Sequence, residues 1–164
     1  MRLQSITIII GLALSAHGTF AESSRPETHG VEATMLVRGD FDVRTIPQAP
    51  DDPSAGPFGR LFLDKRFHGD LEGTSQGQMM AFQCAKQGSA SYVALELVTG
   101  TLDGKSGGFV LQHDAMMRGG ETSRWNVLVV PDSGTGELAG ITGEMKIVIE
   151  GGRHRYEFSY SLAP

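Results

Sequence analysis

The sequence predicts an all-β chain, a barrel or sandwich of eight short strands. Three observations carry that prediction. Apolar and polar residues alternate with period two over short runs along most of the chain. A unit G-x-L-x-G-x-[ST] recurs between those runs, at 69–75 (GDLEGTS), 100–106 (GTLDGKS) and 136–142 (GELAGIT). No segment keeps a 3.6-residue apolar period over three turns, so no helix competes. Glycine supplies positive φ and close backbone approach at turns. The three units therefore predict three similar corners, each with its Leu packed back on the core.

Residues 1–21 read as a secretory signal peptide. Arg2 gives a positive start, 6–16 (ITIIIGLALSA) is the apolar stretch, and Thr19 and Ala21 place small residues at the −3 and −1 positions. The apolar stretch is too short for a stable membrane anchor, and no Cys follows it to carry a lipid. The expected location is secreted or periplasmic. Residues 22–33 are polar and are expected to form a flexible mature N-terminus. Residues 34–164 then suit a single β-barrel or sandwich domain.

The strand runs follow in order: 35–43, 61–67, 78–84, 91–98, 109–113, 124–130 (stopped by Pro131), 145–150 and 156–162. Between the first two, prolines at 47, 50, 53 and 57 exclude helix and central strand. A long loop is expected there, lying over a barrel mouth. Cys84 is the only cysteine, so no intramolecular disulfide forms. Its place in MMAFQC predicts a buried, inert thiol. Net charge is −5, which argues against nucleic acid and anionic membrane surfaces as partners. The partners the sequence admits are a small-molecule ligand and further copies of the same chain.

A longer pattern adds to this. GDLEGTS, then SASYVALELVTGTLDGKSGGFVLQHD, then Trp125 with VVPDSGTGELAGITGE resembles the bacterial domain-of-unknown-function 3224 family, over about residues 67–143. The resemblance implies a small eight-stranded antiparallel barrel like that of allene oxide cyclases and dirigent proteins. The stretch 133–140 (SGTGELAG) is also similar to a G-T-G-x-F segment of those cyclases, with Leu138 in place of the aromatic. The family has no settled activity, and the related barrels include cyclases, isomerases and guides of coupling reactions. The signal peptide and the proline-rich loop depart from the usual family pattern.

Candidate chemistry rests on a few residues. Glu96 sits mid-strand between Leu95 and Leu97, sharing its face with Tyr92 and Ala94. Pointed inward, such a carboxylate serves as acid or base; pointed outward, it is a solvated wall residue. His113 shares its face with Phe109 and Leu111, whereas Gln112 and Asp114 face the other way. His113 and Asp114 therefore cannot work as a base and its orienter without a bulge. Trp125 is the only Trp, and Tyr156, Phe158 and Tyr160 make one face of the last strand aromatic, as core or as a ligand wall. The candidates are Glu96 and His113 for catalysis, and Tyr92, Glu96, His113, Trp125 and Tyr156 for ligand contact. The His residues are scattered, and no metal site or cofactor is expected.

These residues do not form a complete catalytic constellation. The expected function is binding of a small apolar or amphipathic ligand inside the barrel, gated by the proline-rich loop. The alternatives are a cyclase or isomerase acting on a small organic substrate, and a solidly packed barrel serving as an interaction protein.

Overall fold

The computed structural model of the protein describes residues 33–163 apart from 51, 53 and 55. The signal peptide expected over 1–21 lies outside the described residues, as does nearly all of the expected flexible segment 22–33. The strands are β1 (Met35–Gln48), β2 (Gly59–Gly69), β3 (Leu71–Gln83), β4 (Ala90–Leu102), β5 (Lys105–Arg118), β6 (Glu121–Val129), β7 (Thr135–Gly136), β8 (Ile141–Glu150) and β9 (Arg153–Leu162). β1 through β6 pair antiparallel in sequence order, then β6 pairs with β8, β8 with β9, and β9 with β1. That closes an eight-stranded barrel. β7 is a two-residue addition beside Gly107 and Gly108.

Alternation decides what lies inside. Leu63, Phe67, Leu71, Val98, Leu102, Phe109, Leu111, Val127, Tyr156, Phe158 and Tyr160 all point in and are buried. The lower end carries the turns at 69–70 and 103–104 and the 130–140 loop. It is filled by rings: Phe109 stacks on Phe158 at 5.6 Å and Phe158 on Tyr160 at 5.5 Å. The upper end carries the loops 49–58 and 84–89 and the turns at 119–120 and 151–152. Inward positions there are small or partly open, among them Ala94, Ala115, Ala81 and the exposed Ile149.

The three glycine units meet at the lower end, and Leu71, Leu102 and Leu138 are all buried as the motif predicts. They are not one corner repeated. The turn falls at the start of the first unit, at Asp103-Gly104 in the second, and across 137–140 in the third. What they share is a transverse row on the inner wall, Gly73 opposite Gly100 opposite Gly107 opposite Gly136. A Cβ at Gly73 would meet the Thr99 carbonyl oxygen at 2.5 Å, so glycine there lets adjacent strands press together where the wall bends.

Three other expectations change. Strands run longer than the apolar runs, because the ladder continues through these glycines. β1 extends through Pro47, where it has no partner on its β9 side: that pairing stops at Phe41 opposite His154. An edge position of this kind tolerates a residue without an N–H. Cys84 is exposed rather than buried, since β3 ends at Gln83 and the chain turns, with Cys84 N bonded to Ser89 O at 2.9 Å.

Candidate functional site

The upper interior holds the charged and polar side chains that the barrel buries. Glu96 faces in and is 1% exposed; Lys65 on β2 is 7% exposed. Lys65 Nζ donates to Glu96 Oε1 at 2.8 Å. The two residues lie on strands separated by β3, and Gly77 of β3 stands opposite both Leu63 and Glu96. A Cβ on Gly77 would meet Glu96 Cβ at 2.8 Å. Its absence clears the way for Glu96 to reach across. Lys65 Nζ also lies 5.0 Å from the centre of the Phe41 ring and 5.9 Å from that of Phe67, cation–π distances that seat it on the edge of the aromatic half.

His113 on β5 is 3% exposed and stands opposite Ala94, one inward step above the Leu111–Glu96 pair. It is thus a diagonal neighbour of Glu96 on the inner face. Its ring meets Tyr92 edge-on at 5.7 Å. Burial, with Lys65 nearby, lowers its pKa to about 4, so the imidazole is neutral at pH 7. Burial also raises the Tyr92 phenol above its ordinary value. Glu96 Oε2, His113 Nε2 and Ser75 Oγ are all buried without a protein hydrogen-bond partner. Buried polar atoms are ordinarily paired, with protein or with ordered water, and these three lie around one ion pair, with Trp125 Nε1 also lacking a protein partner.

The structure thus brings Glu96, His113 and Tyr92 together, with Trp125 on the inner face of neighbouring β6, opposite Ala115. Tyr156 stands apart. Its hydroxyl accepts from Leu71 N at 2.8 Å and donates to His68 O at 3.2 Å, pinning the β2–β3 turn. Asp114 lies on the outer wall, paired with Arg124 at 2.8 Å. Lys65 and Ser75 are additions that the sequence reading passes over. Lys65 carried a signal: it shares its parity with Leu63 and Phe67 in LFLDKRF. Ser75 carried none.

A second feature adjoins the first. A groove of about 940 Å³ runs along β3, β4 and β5, lined by the outward Met80, Val93, Leu95 and Met116 and by Pro50 and Phe58, and it also touches Tyr92, Ala94 and His113. Pro50, Asp52 and Phe58 of the proline-rich loop line this groove at the upper end, beside Tyr92 and His113.

The fold places the protein in the class of small, closed, eight-stranded antiparallel barrels. The chain belongs to the family described as Protein of unknown function (DUF3224), whose model matches residues 37–160. It is similar to the crystal structure of a DUF3224 protein from Shewanella oneidensis MR-1, with 46% identity and a TM-score of 0.74 over 80% of this chain and 99% of that one. It also resembles in fold the Diels Alderase AbmU from Streptomyces koyangensis, at 16% identity and a TM-score of 0.50 over 83% of this chain and 72% of that one. No curated protein matches the chain significantly.

Proposed function

We propose that this protein is a secreted or periplasmic barrel that binds a small apolar or amphipathic molecule in its upper interior. The observation that carries the reading is the set of unpartnered polar atoms, Glu96 Oε2, His113 Nε2 and Ser75 Oγ, beneath the half-buried Tyr92 and Trp125. Binding sites of this kind are mostly apolar with a few placed polar groups. Native mass spectrometry of protein from its own host is the test. A bound small molecule is expected, lost on His113→Ala and kept on Leu95→Ala outside the barrel. A molecule that His113→Ala and Glu96→Ala both leave in place would put the pocket elsewhere. The same spectra read the mature N-terminus, expected at Glu22; secreted protein still beginning at Met1 would refute the leader.

A second reading, a cyclase or isomerase, is favoured by one observation. A neutral imidazole lies diagonal to a buried carboxylate, so a proton acceptor and an ion-paired carboxylate share one interior. The fold shared with a Diels Alderase is compatible with it. Conversion of the bound molecule to an isomer of equal mass by wild type, and its recovery unchanged from His113→Gln, would favour enzyme over carrier.

A further inference from the structure

We propose that the interior site takes a neutral ligand bearing a hydroxyl group, an alcohol or a phenol, and rejects the matching carboxylate. The inference rests on the interior-binding reading and names the chemistry of that same site. Glu96 uses Oε1 for Lys65, which leaves Oε2 an acceptor in need of a donor. Ser75 Oγ and His113 Nε2 lie on the strands to either side of Glu96 and lack protein partners. A ligand hydroxyl answers both needs with one group. Its hydrogen goes to Glu96 Oε2, and its oxygen accepts from Ser75 or His113.

The other head groups fit worse. A carboxylate offers Glu96 no hydrogen and sets a second negative charge beside it, while the only buried cation, among the described residues, is already paired. An ammonium would satisfy Glu96 but would stand beside Lys65. A purely apolar ligand would leave the three polar atoms buried and unpaired, which is the costly arrangement. The carbon skeleton would then rest on Tyr92 and Trp125 toward the partly open upper end.

The experiment uses three probes of one shape at pH 7: 4-methylphenol, p-xylene and 4-methylbenzoate. Affinity is read from the indole N–H resonance of Trp125, which is unambiguous because Trp125 is the only Trp. The phenol is expected to bind at least about tenfold tighter than p-xylene, and the benzoate not to compete. In Lys65→Met/Glu96→Leu, which removes both charges together, the preference for the phenol should disappear. Equal binding of phenol and p-xylene, or tighter binding of the benzoate, overturns the inference and leaves interior binding standing. If no probe moves the Trp125 resonance, interior binding falls as well. A shift lost on Leu95→Lys and kept by the double variant places the probes in the outer groove and overturns both.

Discussion

The two halves of the barrel interior are built from the same strands and the same alternation, yet they are filled on opposite principles. The lower half closes with rings and branched chains, all but inaccessible. The upper half buries an ion pair, a neutral histidine and alanines. One half gains from every apolar contact it makes. The other holds charges and polar atoms whose desolvation offsets part of that gain. Stability is concentrated at one end, and the buried charged and polar side chains are concentrated at the other.

The comparison predicts unequal responses to substitution. The largest is expected from Phe158→Ala in the stacked ring set, about 3–5 kcal/mol of stability by urea unfolding. A loss under about 1 kcal/mol would mean the lower half is not the packed one. In the upper half, Glu96→Leu alone strands Lys65 in the interior and should cost on the order of 3 kcal/mol. Lys65→Met/Glu96→Leu together should be neutral or stabilising, as replacement of a buried ion pair by apolar groups often is. A double variant as damaged as the single one would break the comparison.

The third effect is pH dependence. His113 titrates near 4 in the folded chain, against an ordinary value of 6.5. Between those values the unfolded chain binds the extra proton. Stability therefore falls as pH drops from 6.5 toward 4, by on the order of 3 kcal/mol, and the loss is complete below 4. His113→Leu should flatten that slope; an unchanged slope would mean that another group carries it. The smallest effect belongs outside. Leu95 is 54% exposed, so Leu95→Thr should change stability by no more than about 0.5 kcal/mol.

Period two made the facing of most residues legible in the sequence. Phe109, Leu111 and His113 share one side in the string and share the interior in the fold. The barrel itself came through the family pattern, since alternation and the glycine units admit a sandwich as well. Strand lengths did not come through. Glycine looks like punctuation in a sequence, and here Gly73, Gly100 and Gly107 sit inside continuous ladders. The partner of Glu96 was also hidden. Lys65 is 31 residues away, and the pair depends on the strand between them presenting Gly77 at the crossing. Inter-strand stagger sets that register, and no local window contains it. Cys84 misled because an apolar run was read one residue past the end of its strand.

The seam between β1 and β9 differs in kind from every other ladder of the barrel. Its pairs, such as Gly39 with Tyr156, join opposite ends of the domain, whereas the rest join consecutive strands or bridge the short 130–140 loop. Closing so long a loop costs chain entropy before any contact repays it. The consequence is a matter of time order. The meander is expected to assemble hairpin by hairpin, with the seam zipping last. Val37→Ala in the seam should then speed unfolding and leave the folding arm of a denaturant chevron almost unmoved. A slowed folding arm would mean that the two ends meet before the rate-limiting step.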